Sequence, residues 1–257
     1  MNTLFDFINC PQRTSKKRDV GITSLLDKGL GVGALNDLLN VASEYIDLVK
    51  FSFGTAVVLS QDILKEKIVH LQQKDCEVCF GGTLYEIAEK QGSFDAYLNL
   101  CKQLELNYIE ISDGAVPIPY QRKLDCIKQA SDCGFIVLSE VGNKNPDIDN
   151  AIHIDERIDM VNRELETGSW KVIIEARESG TVGLFDSCGK INTDEFFTLI
   201  NALPAEKLIF EAPKKSQQAW FINQLGVDVN LGNILPEDVI SLESLRRQLR
   251  ADTLCQY

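Results

Sequence analysis

At 257 residues, with 44% apolar and 25% charged residues, the chain has the length and composition of one large α/β barrel, or of two small domains, with a core of ordinary size. Its net charge of -12, from 38 acidic against 26 basic residues, excludes a general nucleic-acid or anionic-membrane binder, because both need a basic surface. A small anion remains open, since a pocket can be locally basic inside an acidic protein.

The first twenty residues are mixed and polar. They read as an arm, residues 1–20, that covers one end of a fold spanning 21–257. A pattern then begins and repeats. Gly21 to Leu26 is an apolar run ending in Asp27-Lys28-Gly29, and Leu35, Leu38, Leu39 and Ala42 follow at helical spacing. Ile46 to Phe53 carries Lys50, and Ile63 to Leu71 is helical. Cys76 to Phe80 ends in Gly81-Gly82-Thr83, with a helix expected over Phe94 to Leu104. Tyr108 to Ile111 ends in Ser112-Asp113-Gly114, with a helix over Leu124 to Cys133. Phe135 opens the fifth run, which ends in Glu140, with Lys144 four residues on. Ile158 to Leu165 is helical before Trp170 to Ile174, which ends in Glu175-Ala176-Arg177. Phe196 to Leu203 is helical before Leu208 to Phe210, which ends in Glu211. Ala219 to Leu225 is helical before the eighth run, Val227 to Leu231, and a last helix runs from Pro236 to about Arg250. Eight strand-then-helix units without a Pro/Ser linker predict a single (β/α)8 TIM barrel, and no G-x-G-x-x-G follows the first strand to favour an open doubly wound sheet.

Eight cysteines at irregular spacing do not make a disulfide scaffold. Cys76 and Cys79 form a lone C-x-x-C, with no second pair and no histidine at zinc-finger spacing, and read as buried thiols at a strand. The N-terminus lacks a charged start followed by an apolar run, and no apolar run approaches 18 residues, so a cytoplasmic protein without a membrane span is expected.

Barrel enzymes place their chemistry where strands end and βα loops begin. Those places are unusually charged here: Lys28, Lys50, Glu110, Glu140, Lys144, Glu175, Arg177 and Glu211. Alternation along a strand puts Glu110 with Ser112, Leu138 with Glu140, and Glu175 with Arg177 on shared faces. Converging carboxylates cannot all ionise side by side without a cation. Hard oxygen ligands with only two histidines in the chain suggest Mg²⁺ rather than zinc, with Glu110, Glu140 and Glu175 as the expected ligands. Lys28, Lys50, Lys144 and Arg177 suit a phosphate or carboxylate ligand. Asn230 to Asn233 stands where many barrels hold phosphate, Gly180-Thr181-Val182-Gly183 reads as an ordinary turn, and Arg246, Arg247 and Arg250 are expected to face solvent or a subunit contact.

These residues lie in segments that carry a family resemblance. They include Leu26-Asp27-Lys28-Gly29-Leu30, Val49-Lys50-Phe51, Gly81-Gly82-Thr83-Leu84, Glu110-Ile111-Ser112-Asp113-Gly114, Ser139-Glu140-Val141-Gly142, Ile173-Ile174-Glu175, Phe210-Glu211-Ala212-Pro213 and Val229-Asn230-Leu231. In order, and over nearly all of residues 20 to 254, the chain resembles the phosphosulfolactate synthases of coenzyme M biosynthesis. The resemblance implies a Mg²⁺-dependent lyase, homo-oligomeric, that adds sulfite to phosphoenolpyruvate and yields (2R)-phospho-3-sulfolactate. It implies Lys144 as the acid that protonates C2; the strand-end reading adds Glu140 and Lys50 as catalytic and Lys28, Arg177, Asn230 and Ser112 as substrate-binding. Lys144 is expected to need a pKa brought down toward neutrality. Asn143 and Ser52-Phe53 depart from the family pattern. Two other readings are a Schiff-base lysine, Lys50 or Lys144, in an aldolase-like enzyme, and a non-catalytic paralogue like the diverged plant branch associated with heat stress.

Overall fold

A computed structural model describes residues 4–5 and 7–254. The eight apolar runs become parallel strands: β1 (Thr23–Asp27), β2 (Leu48–Phe51), β3 (Glu77–Phe80), β4 (Tyr108–Ile111), β5 (Ile136–Val141), β6 (Ser169–Ile174), β7 (Leu208–Glu211) and β8 (Leu231–Ile234). They form one sheet in the order β3-β2-β1-β8-β7-β6-β5-β4, with helices between consecutive strands. This is a (β/α)8 barrel closed by ladders everywhere except the seam between β3 and β4. Side chains stitch that seam. Asn107 Nδ2 donates to Glu77 Oε2 at 3.1 Å at its lower end, and the Gly82 N–H donates to Glu110 Oε1 at 2.6 Å at its upper end.

Alternation along the strands divides the core in two. Outward residues such as Leu25, Val49, Ile109, Val137, Val172 and Phe210 pack beneath the helices in the main apolar cluster. Inward residues Leu48, Cys79, Leu138, Ile173 and Ile209 make a small apolar plug inside the barrel. Cys79 belongs to this plug, and Cys76, three residues earlier, is a separate buried free thiol.

The lower end of the barrel, where strands begin, is tied by cations to main-chain oxygens. Arg246, fully buried, donates to the carbonyls of Val227 and Val229 at 2.6 and 2.7 Å and to that of Ile22 at 3.2 Å. The expectation that Arg246 faces solvent or a subunit is therefore overturned. Arg247 and Arg250 turn back onto their own helical region, to Glu243 and to the Ser241 hydroxyl. Arg13 pairs with Asp228 at 2.8 Å, and Arg18 with Asp47 at 2.7 Å. A cavity of about 830 Å³ lies at this end, between residues 7–18 and the final helix, away from the charged strand ends.

Besides short helices at Thr55–Val58 and Pro146–Asp149 and a last helix that ends at Arg246, two differences from the sequence pattern bear on the site. The eighth strand starts at Leu231, because the carbonyls of Val227 and Val229 are claimed by Arg246 instead of a neighbouring strand. A helix over Gly82–Lys90 follows β3 directly, ahead of the expected one over Phe94–Gln103. No helix among the described residues is long and apolar enough to cross a membrane.

Candidate active site

Above the apolar plug, five of the eight strands turn a charged residue inward. Lys50 leaves β2, Glu110 β4, Glu140 β5 and Glu211 β7, and Glu175 follows the last residue of β6. All five are at most 7% exposed. Lys50 Nζ lies 3.2 Å from Glu110, 3.2 Å from Glu211 and 4.0 Å from Glu140. Lys144, in the loop after β5, reaches back to Glu140 Oε1 at 3.0 Å and Glu175 Oε2 at 3.1 Å. Four carboxylates thus meet two ammonium groups, and full ionisation leaves a formal charge of -2 at the barrel mouth. Within this set Glu140, Glu175 and Glu211 each turn one oxygen to within 4.8 Å of the others.

The electrostatics follow from that imbalance. Burial pushes the Glu175 carboxyl well above its usual range, Glu140 and Glu211 push it further, and Lys144 only partly offsets them. Burial also works against ionisation of Glu140, but Lys144 and Lys50 outweigh it and hold that carboxyl down at about 2. Glu110 is raised by burial despite Lys50. Burial favours neutral amines, yet the surrounding carboxylates raise both Lys50 and Lys144. The site is therefore short of positive charge, and the chemistry of its donors, three buried carboxylate oxygens without sulfur or imidazole, fits a hard dication.

Outside the barrel wall, buried charges fix the loops that carry this set. Asp27 accepts from the N–H groups of Gly29 and Leu30 and pairs with the fully buried Lys67 at 2.7 Å. Lys123 pairs with Asp113 at 2.8 Å and Glu164 at 2.7 Å, and donates to the Glu140 carbonyl at 2.6 Å. Asp149, paired with Arg157, accepts from the N–H groups of Asn143 and Gly183 at 2.8 and 2.7 Å. These loops are held by charges that lie outside the barrel interior.

Comparison with known proteins settles the family. Residues 11–252 match the family model described as (2R)-phospho-3-sulfolactate synthase (ComA). The chain belongs to the (2R)-phospho-3-sulfolactate synthase family. It is 48% identical over 234 residues to the phosphosulfolactate synthase of Methanocaldococcus jannaschii, covering 91% of this chain and 93% of that one. It is 44% identical to the phosphosulfolactate synthase of Methanothermobacter thermautotrophicus, covering 97% of each. Among solved structures, 3-hexulose-6-phosphate synthase from Salmonella typhimurium superimposes with a TM-score of 0.56 over 88% of this chain and 99% of that one. At 12% identity that likeness speaks for the barrel alone. The chain is thus an enzyme, a phosphosulfolactate synthase by family.

Within this family frame the expected site residues separate into three places. Lys50, Glu110, Glu140, Lys144 and Glu175 converge at the mouth. Glu110 is engaged by Lys50 and the Gly82 N–H, and Glu211 stands in its place among the three close carboxylates; Glu211 was among the charged strand ends but not among the expected ligands. Lys28 and Arg177 are exposed on the rim. Lys28 pairs with Glu178 at 2.6 Å, and Arg177 takes a left-handed φ of 62° while its N–H donates to Glu175 Oε1 at 2.6 Å.

The remaining two are occupied elsewhere. Ser112 is fully buried and donates its hydroxyl to Glu86. Asn230 precedes β8 and sits at the lower end, where it accepts from the Ile22 N–H and donates to the carbonyls of Glu206 and Leu208. It cannot touch a substrate at the mouth; Asn233, whose Oδ1 is buried without a hydrogen bond, is the asparagine at the upper end of that strand. The Gly180–Gly183 stretch is a turn, with the Gly183 N–H spent on Asp149. Asn143 is half-buried and Phe53 exposed, with a left-handed φ of 56°.

Proposed function

We propose that this mouth adds sulfite to C3 of phosphoenolpyruvate with Mg²⁺ held by Glu140, Glu175 and Glu211, giving (2R)-phospho-3-sulfolactate. The observation that carries the reading is the uncompensated charge: four buried carboxylates against two ammonium groups, with Glu175 driven toward its protonated form. A bound dication supplies counter-charge for the substrate carboxylate as negative charge grows on it.

The chain's own residues do the rest. The sulfite lone pair forms the C3–S bond, and the π electrons of C2=C3 move onto C2 and the carboxylate. Lys144 Nζ, tethered between Glu140 and Glu175, delivers its proton to C2 from one face, which fixes the R configuration, and recovers a proton from solvent. A raised Lys144 pKa serves this role, contrary to the expectation of a lowered one. The carbanion-like C2 is far more basic than an amine, so the requirement is an amine always loaded with its proton. Lys50 holds Glu110 and Glu211 apart from one another, and Lys28 and Arg177 on the rim suit the phosphate. The carboxylates around buried Lys50 and half-buried Lys144 favour the charged ammonium over the free amine that an imine mechanism needs. The reading extends to a cytoplasmic homo-oligomer, carried by the family likeness alone.

The test is turnover of phosphoenolpyruvate and sulfite with Mg²⁺, followed by mass spectrometry of the product, with EDTA in a parallel reaction. Metal-dependent phosphosulfolactate is expected. Folded protein that makes none, or makes it equally in EDTA, contradicts the reading.

A further inference from the structure

Glu86 is fully buried, lies on the helix after β3, and forms no ion pair among the described residues. A carboxylate this deep without a cation needs a full set of donors. It has four, all from the loop after β4. Oε1 accepts from the Ser112 hydroxyl and from the Gly114 N–H at 3.1 Å, and Oε2 accepts from the N–H groups of Ala115 at 3.0 Å and Val116 at 2.5 Å. The contacts cross the seam between β3 and β4, where no ladder fixes one strand against the other.

The clamped loop leads to the lysine. The Lys144 N–H donates to the Gly114 carbonyl at 2.9 Å. A methyl group placed on Gly114 lies 3.5 Å from Lys144 Nζ, 3.6 Å from Glu140 Oε1 and 3.3 Å from the Gly142 carbonyl. The loop that Glu86 holds therefore accepts from the Lys144 main chain and passes beside its ammonium, with room for little more than a methyl group between them. Lys123 grips the same loop through the Asp113 side chain, but only Glu86 takes its consecutive N–H groups.

We propose that Glu86 is a positioning residue for proton delivery: it clamps residues 112–116 across the unlaced seam and thereby sets where the Lys144 ammonium stands. This rests on the reading of Lys144 as the acid. Glu86→Gln keeps the volume but turns an NH₂ toward N–H or O–H donors, so one pair of hydrogen bonds is lost. A small misplacement of the acid, with substrate sites intact, costs kcat and spares KM.

The experiment is a double-mutant cycle of E86Q and K144A in the Mg²⁺-loaded enzyme. E86Q alone is expected to lower kcat by roughly 10- to 100-fold with KM for phosphoenolpyruvate within about threefold. In the K144A background the same change is expected to cost less than about twofold, because it has no acid left to misplace. An equal loss in both backgrounds, or a KM effect alone, overturns the proposal. K144A with near-wild-type kcat removes the acid assignment itself, and the proposal with it, before E86Q is consulted. Should E86Q fail to fold, E86D runs the same cycle. Should both fail, hydrogen exchange on the wild type decides: protected amides at 114–116 and 144 support the clamp, and loop-like exchange there overturns it.

Discussion

The two ends of this barrel use buried charge in opposite ways. At the lower end buried guanidinium groups meet main-chain carbonyls and nearby acids: Arg246 binds three main-chain oxygens, Arg13 meets Asp228 and Glu243, and Arg18 meets Asp47, which also accepts from the Thr23 N–H. At the mouth charge meets charge, and two ammonium groups fail to balance four carboxylates. The lower end is complete in itself, so its charges stabilise the fold. The mouth is short of positive charge, and the proposed reaction is placed there for that reason.

The largest expected effect tests the mouth directly. Lys144→Ala should lower kcat by roughly 10²- to 10⁴-fold while leaving KM for phosphoenolpyruvate nearly unchanged and the Mg²⁺-loaded protein folded, as steady-state kinetics and calorimetry will report. Arg246→Met should do the reverse. Stranding three buried carbonyls costs roughly 3 kcal/mol or more in denaturant unfolding, while turnover per folded molecule stays the same. Equal damage to activity from both changes would erase the division between the ends.

Glu175 sharpens the contrast through stability. Its folded-state pKa is raised, so the native protein binds a proton that the unfolded chain releases above its ordinary value of 4.5. The contribution is fully present below that value and is lost as pH rises through the raised one. Metal-free protein should therefore lose thermal stability as pH rises above that value, and Glu175→Gln should flatten the slope and stabilise the metal-free form by roughly 1 kcal/mol, while abolishing activity. An unchanged slope in that variant would remove Glu175 as its source. The smallest effect belongs to the rim. Glu178→Gln breaks the exposed pair with Lys28 and should change stability by less than about 0.5 kcal/mol. The freed Lys28 should alter KM for phosphoenolpyruvate rather than kcat.

What the sequence made readable follows the same division. Period-two alternation and polar strand ends pointed to Lys50, Glu110, Glu140 and Glu175, because barrel interiors are built from local strand geometry. Lys144 followed from its distance to Glu140 in the chain. Glu211 was visible as a strand-end charge, yet nothing local said that it, rather than Glu110, joins the close carboxylates; that depends on the Gly82 N–H reaching across the β3/β4 seam. Glu86 was hidden because the helix over Gly82–Lys90 that carries it was not expected, and because its donors come from residues 112–116. Asn230 was misplaced because an apolar run marks where a strand is possible, not where it starts. Only Arg246, arriving from the far end of the chain, shifts that start to Leu231.

The most direct test of the mouth as an incomplete site is calorimetric titration of Mg²⁺ into metal-free protein, at pH 6 and pH 8, in two buffers of different ionisation enthalpy. One ion bound per chain is predicted, with proton release at pH 6 at least as large as at pH 8, as the metal displaces the proton that burial favours on Glu175. Absence of binding, or binding without proton release at either pH, would contradict the account.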